Sequence, residues 1–321
     1  MKYRSLGNTG VKVSSLCMGT MTFGDGADKK TSELLYNTCR DKGINFFDCA
    51  NGYAKGESER ILGQLIKPHR EEVLIATKVY FPTGPNINDR GLSRSHMTKA
   101  LDASLKRLDT DYIDVYYLHH FDEETALEET FMALDDFVGQ GKIQYIGVSN
   151  FSAWQIMKAK AIIETRQLAA VSCVQPMYSL LKRQAESELL PMASSEAMGV
   201  FSYSPLAGGL LTGKYSGENP GNGRFDTNKM YQNRYRDRFY QESVDAYVQF
   251  AQEHQLDAVS LAIAWVMSNP AVTAPIIGAR NLQQLEPCLA ALEIELTDEM
   301  MAMLDQISPP APLATDREEE R

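Results

Sequence analysis

Hydrophobic and polar residues alternate along this chain in two rhythms. Short apolar runs at 15–18, 45–48, 74–78, 113–118, 143–148, 170–174, 200–203 and 274–277 have the length of strands. Between them lie longer stretches, among them 97–108, 127–140, 154–163 and 282–292, whose apolar residues recur every three or four positions, as in amphipathic helices. Ahead of the series, Tyr3 to Leu6 and Val11 to Val13 flank the turn-forming Gly7-Asn8-Thr9-Gly10, which predicts a hairpin. About eight strand–helix units in series imply a parallel sheet with crossover helices. No Gly/Ser-rich linker interrupts them, so a single domain is expected over 1–307, with a flexible, solvated tail over the Pro-rich and then charged 308–321. Residues 213–238 lack a clear period and are too long for a plain connection, so they read as a functional loop or lid.

A doubly wound sheet and a closed barrel both satisfy that pattern. A dinucleotide-binding sheet should show G-x-G-x-x-G after its first strand, but Met18-Gly19-Thr20-Met21-Thr22-Phe23-Gly24 stands there instead. Chemically capable residues follow nearly every strand: Asp48 and Tyr53, Lys78, His119-His120, Ser149-Asn150, Gln175, Tyr203-Ser204-Pro205, and Gly278-Ala279-Arg280. Each has an ordinary reading alone, Asp48 as a helix cap or Lys78 as a solvated strand end. A closed barrel gathers all carboxyl ends on one face, whereas an open sheet spreads them along a line. The expected fold is therefore an α/β (β/α)8 TIM barrel with an N-terminal β-hairpin.

Composition narrows the functional classes. A hydrophobic share of 44% and a charged share of 23% are globular values. The formal net charge of −10 disfavours a nucleic-acid partner and means that an anionic ligand needs a local cationic pocket. There is no apolar run of about 18 residues and no secretory leader, so no membrane association is expected. The 5 cysteines, Cys17, Cys39, Cys49, Cys173 and Cys288, form no C-x-x-C pair and read as reduced thiols of a cytoplasmic protein. His119 and His120 are neighbours on an extended segment, point to opposite faces and have no ligand cluster with them, so no metal site is expected.

Several segments resemble signatures of the aldo-keto reductase superfamily, in order and over nearly the whole chain. They are Phe47-Asp48-Cys49-Ala50-Asn51-Gly52-Tyr53 with Gly56-Glu57-Ser58-Glu59 and Leu62-Gly63, then Ile75-Ala76-Thr77-Lys78, then the strand ending Leu118-His119. Ile146-Gly147-Val148-Ser149-Asn150-Phe151, Gln175-Pro176-Met177-Tyr178 and the run from Tyr203-Ser204-Pro205-Leu206 through Lys214-Tyr215 complete the set. The branch resembled holds bacterial aldehyde reductases and potassium-channel β subunits. The resemblance implies NADPH-dependent reduction of a small-molecule aldehyde or ketone by a tetrad of Asp48, Tyr53, Lys78 and His119. It implies that Ser149, Asn150 and Gln175 hold the nicotinamide carboxamide and that Tyr203 stacks on its ring. Ser204, Leu206, Gly208 and Lys214 would follow the pyrophosphate, and Gly278, Arg280 and Gln284 the adenosine phosphate. Phe23, Tyr80, His120 and Phe121 are expected to line the substrate pocket. Where many relatives place Glu-Asn against adenine, this chain has Pro287-Cys288, which cannot reproduce those hydrogen bonds.

Hydride addition to a carbonyl carbon leaves charge on oxygen, so a general acid is needed. Tyrosine at its free pKa is a slow donor at neutral pH. A lysine about 4 Å away favours phenolate by roughly 4 kcal/mol at an effective dielectric near 20, which would draw Tyr53 toward neutrality. Asp48 would partner Lys78, and a neutral His119 would orient the carbonyl oxygen. Two rivals keep the same residues: a cofactor-sensing regulatory subunit with little turnover, and a barrel isomerase or aldolase using Lys78 as a Schiff-base nucleophile. The pattern leaves the specific carbonyl and the oligomeric state open.

Overall fold

In a computed structural model describing residues 1–215 and 229–315, eight parallel strands close into a barrel. They are β3 (Cys17–Gly19), β4 (Phe46–Asp48), β5 (Leu74–Val79), β6 (Ile113–Leu118), β7 (Ile143–Ser149), β8 (Val171–Gln175), β9 (Gly199–Ser202) and β10 (Ala274–Ile277). Each pairs with the next in chain order, and β10 returns to β3. The expected (β/α)8 barrel is thus the fold. The first two strands, β1 (Tyr3–Ser5) and β2 (Lys12–Ser14), form the predicted antiparallel hairpin.

The two-residue period of a strand explains how one chain builds two cores. Inward positions Cys17, Phe46, Ala76, Val115, Tyr117, Cys173, Phe201 and Ala274 pack inside the barrel with Leu6 and Val13 from the hairpin. Outward positions such as Phe47, Ile75, Tyr116, Leu118, Ile146 and Val148 pack against the surrounding helices. Gly7, at φ +54°, brings the hairpin turn against the backbone of Ser172 and Gly199, at the amino ends of β8 and β9, so the hairpin plugs that end. The carboxyl end stays open, with inward-facing Asp48, Lys78 and Gln175 as its floor.

Boundaries differ from the sequence expectation where side chains compete for the backbone. β3 begins at Cys17 because Ser14 ends β2 and its hydroxyl donates to the Leu16 carbonyl at 2.6 Å. The helix expected from 97 begins at Arg94, capped by Ser93. Within the expected lid over 213–238, Lys229–Arg234 is helical, because Tyr231 and Tyr235 bury their rings and anchor the segment; 216–228 lie outside the described residues. The tail expected to be solvated from Ser308 is held at its start. Ser308 is buried, its hydroxyl donates to Leu180 O, its carbonyl accepts from Arg183, and Ser187 donates to Pro312 O at 2.6 Å. Among the described residues no helix is long and apolar enough to cross a membrane.

One close approach sets the start of the chemistry-bearing segment. The helix Glu57–Ile66 lies against Arg94–Leu108, and a Cβ on Gly63 would overlap the Leu108 backbone carbonyl. Neither backbone can yield without moving a helix. Gly63→Ala is expected to destabilise the protein by about 1–3 kcal/mol in urea unfolding. An unchanged midpoint would mean that the helices separate freely there.

Candidate active site

The open end of the barrel gathers four expected residues around one ammonium group. Lys78, wholly buried on β5, places Nζ 2.5 Å from Asp48 Oδ2, 2.7 Å from Cys49 O and 3.3 Å from the Tyr53 hydroxyl. The other Asp48 oxygen accepts from Gln175 Nε2 at 2.9 Å. Tyr53 follows β4 in a short 3-10 turn where Ala54 and Lys55 have φ of 47° and 55°, and its ring centroid lies 5.0 Å from Lys78 Nζ. His119, one residue past β6, presents its ring edge to the Tyr53 ring, with centroids 6.1 Å apart.

Electrostatics give these groups distinct states. Burial opposes the Lys78 charge, but Asp48 and then Tyr53 outweigh it and hold the ammonium above its ordinary range. Burial, the nearby Lys78 charge and His120 all push His119 well below its ordinary 6.5, so the ring is neutral at pH 7. Tyr53 departs from the sequence expectation. Burial pushes its hydroxyl up to about 12, Lys78 pulls it down, and Asp48 pushes it up again. A lysine acting as a bare charge would lower the phenol's pKa. In the folded site its field is shared with Asp48, and desolvation of the phenolate outweighs what is left.

A second network lies beside the first. Ser149 Oγ donates to Gln175 O at 2.9 Å, Asn150 Nδ2 donates to Ser149 Oγ at 3.1 Å and to His119 O at 2.8 Å, and the Tyr203 hydroxyl donates to Asn150 Oδ1 at 2.7 Å. A cavity of about 370 Å³ opens behind Asn150, Gln175 and Tyr203, against Met177, Gln184 and Leu189. Neither Tyr53, Lys78 nor His119 lines it, so it flanks the tetrad.

Past β9 the backbone forms a cradle suited to a phosphate chain. Ser204 and Ala207 have φ of 60° and 50°, and Gly208 and Gly209 have φ of 71° and 102°, so successive peptides turn sharply. A Cβ on Gly209 would sit 3.4 Å from Lys214 Nζ, which places that ammonium directly over the turn. Past β10, the Arg280 side chain crosses Gly26, whose added Cβ would meet its Cγ and Nε at 3.2 Å. Arg280 has no carboxylate partner among the described residues and stands beside the N-terminus of the helix Leu282–Ala290. Gln284 caps the preceding turn, its Oε1 accepting from Arg280 N at 3.0 Å. Exposed cations, tight glycine turns and a helix N-terminus fit the phosphates of a nicotinamide dinucleotide. Pro287 lies inside that helix, and Cys288 is buried with its thiol on Gln284 O, so Cys288 is not presented to a ligand.

Phe23, expected to line the substrate pocket, is instead fully buried in the outer core, its segment folding back through a bridge to Ala27; Met21, two residues earlier, is the exposed one. Tyr80 and His120 stack with centroids 5.1 Å apart, and Phe121 packs on Phe151 at 5.2 Å. Phe81, which the sequence did not single out, meets the His119 ring edge-on at 4.8 Å and the Tyr80 ring at 5.3 Å. Its only sequence signal was adjacency to Tyr80.

Residues 15–309 match the model of the Aldo/keto reductase family. The chain belongs to that family. As a family member, the reductase is an NAD(P)H-dependent oxidoreductase, and carbonyl reduction is the chemistry its relatives support. It is similar to an uncharacterized oxidoreductase, YrpG, of Bacillus subtilis (strain 168), 40% identical over 96% of each chain. A probable voltage-gated potassium channel subunit beta of Arabidopsis thaliana is 39% identical over 92% of each chain. Norsolorinic acid reductase of Aspergillus flavus is 33% identical over 94% of this chain and 79% of the relative.

The neutral state of His119 has a consequence for stability. Its folded pKa lies below the unfolded value near 6.5, so its contribution is present above about pH 6.5 and is lost as pH falls. Denaturant stability of the reductase is expected to fall on acidification below that point. His119→Gln should flatten this acid limb, leaving the part due to His96, whose pKa burial also lowers. An acid limb identical in the variant would show that His119 does not lose protonation on folding.

Proposed function

We propose that this reductase converts aldehydes or ketones to alcohols with NADPH, Tyr53 acting as general acid. The observation that carries the reading is the Asp48–Lys78–Tyr53 contact with a neutral His119 facing the same phenol. The nicotinamide, when bound, supplies the hydride. Tyr53 then gives its proton to the carbonyl oxygen and becomes phenolate, which Lys78 stabilises from 3.3 Å. An alkoxide is a stronger base than a phenolate, so this transfer runs downhill. His119, neutral and beside the phenol, offers a ring nitrogen to orient the carbonyl. Asp48 and Cys49 O keep the Lys78 ammonium in place, and the tyrosine is reprotonated from solvent.

The raised pKa of Lys78 argues against the aldolase reading, which needs a neutral amine nucleophile. The plant relatives named as channel β subunits favour keeping a cofactor-sensing role as second reading. The two separate on turnover. A panel of aldehydes and ketones, followed by consumption of NADPH and NADH, should give saturable reduction. Tyr53→Phe should reduce turnover by at least about a hundredfold, the range of general acid catalysis, while leaving cofactor affinity nearly intact. Turnover within tenfold of the parent would remove Tyr53 from the acid role.

The preference for NADPH rests on Arg280. A 2′-phosphate carries nearly two negative charges, and a guanidinium beside a helix N-terminus, with no carboxylate partner among the described residues, suits it. A charge-assisted hydrogen bond contributes about 1.5–3 kcal/mol, or roughly ten- to a hundredfold in affinity. Arg280→Ala should weaken NADPH by that factor in fluorescence-quenching titrations and leave NADH almost unchanged. Equal losses for both would assign Arg280 to loop support alone.

A further inference from the structure

His119, like Tyr53, stands outside the barrel ladder, one residue beyond the end of β6 at Leu118. Its backbone is tied at two points: its N–H donates to Val79 O at 2.9 Å, and its carbonyl accepts from Asn150 Nδ2 at 2.8 Å. The first tie belongs to the scaffold. The second depends on a side chain that packing does not fix, because Asn150 is exposed and borders the cavity of about 370 Å³.

Hydrogen bonds orient that side chain instead. An amide has a donor end and an acceptor end, and rotating it by half a turn exchanges them. Oδ1 accepts from the Tyr203 hydroxyl at 2.7 Å, and this contact directs Nδ2 to His119 O and Ser149 Oγ. In the opposite orientation an amide oxygen would face the His119 carbonyl. The left-handed backbone of Asn150, φ 57°, carries its side chain across the carboxyl ends of β6 and β7 toward Tyr203. Burial, opposed by Arg234, raises the Tyr203 pKa, so the hydroxyl keeps its proton as a donor.

We propose that the Tyr203 hydroxyl is a positioning group for His119. Acting through the Asn150 amide, it fixes the backbone carbonyl of His119 and with it the aim of the imidazole at Tyr53. Stacking needs only the ring of Tyr203, so the hydroxyl has a task of its own. The inference rests on the role given to His119 above. It also makes the same two side chains serve both the cofactor seat and the carbonyl-orienting group.

Tyr203→Phe keeps the ring and removes only the hydroxyl, and it separates the two tasks. In cofactor-free protein, hydrogen–deuterium exchange of peptides covering the end of β6 should be faster in Tyr203→Phe, with Asn150→Ala giving the same increase. In the full enzyme, kcat/KM for the carbonyl should fall about two- to tenfold, the worth of one neutral hydrogen bond, while the NADPH dissociation constant by quenching stays within about twofold. Adding Tyr203→Phe to Asn150→Ala should cost nothing more, because the hydroxyl acts only through the amide. Unchanged exchange, strictly additive losses, or a loss confined to cofactor affinity would each overturn the proposal. Failure of the unmodified protein to reduce any carbonyl would instead sink the reductase reading, and the exchange comparison would still decide whether the hydroxyl holds His119.

Discussion

A charged lysine inside a barrel is tolerable only if every donor it carries finds an acceptor, and much of this site follows from that constraint. Lys78 Nζ spends its contacts on Asp48, Cys49 O and the Tyr53 hydroxyl, and Asp48 is completed in turn by Gln175. Removing one partner of a buried pair leaves an uncompensated charge that costs about 3–5 kcal/mol. The pair also needs its two strands held in fixed relation. Asp48 lies opposite Ala76 on β5, two residues before Lys78, so the β4–β5 pairing sets the separation of the charges. The outward face of the same segment is pinned as well: Thr77 donates to the buried Glu59, which pairs with Arg107 at 2.6 Å.

Around that pair the barrel serves as a sorting device. The two-residue period sends Phe46, Ala76 and Val115 inward below, Asp48, Lys78 and Gln175 inward above, and the large aliphatic residues outward. Gly147 makes room for the Tyr117 ring, since any side chain there would overlap it. The result is an apolar lower half and a polar upper rim. That contrast pushes His119 and Tyr53 toward their neutral forms and keeps Lys78 charged only through Asp48.

How far the chain disclosed this depends on the kind of information each feature needs. The eight strands and their carboxyl-end residues were legible because strand period and chain order are local, and closure follows from them. Asp48, Lys78, Tyr53 and His119 do come together. Phe23 was misread because its orientation depends on a fold-back to Ala27 that no residue type announces, and Phe81 was missed because loop aromatics carry no period. The helix Lys229–Arg234 was hidden because two tyrosines, not an amphipathic stripe, anchor it. The link from Tyr203 through Asn150 to His119 joins three strand ends, so only the closed barrel reveals it.

The Tyr53 state was illegible for a different reason, and it bears on the proposed chemistry. A bare lysine beside a phenol predicts an easily ionised tyrosine. Burial and Asp48 reverse that and keep the hydroxyl near 12. A general acid ionised at rest would have no proton to give, so a phenol that holds its proton at neutral pH is the useful resting state. The field of Lys78 then matters most when charge develops on the substrate oxygen and the proton begins to leave, because only then does phenolate character appear within 3.3 Å of the ammonium. An interaction stronger at that moment than in the resting protein lowers the barrier without stabilising the ground state. In the proposed chemistry Asp48 therefore has two effects: it anchors the Lys78 ammonium, and it opposes ionisation of Tyr53, so that the phenol keeps the proton it is to give.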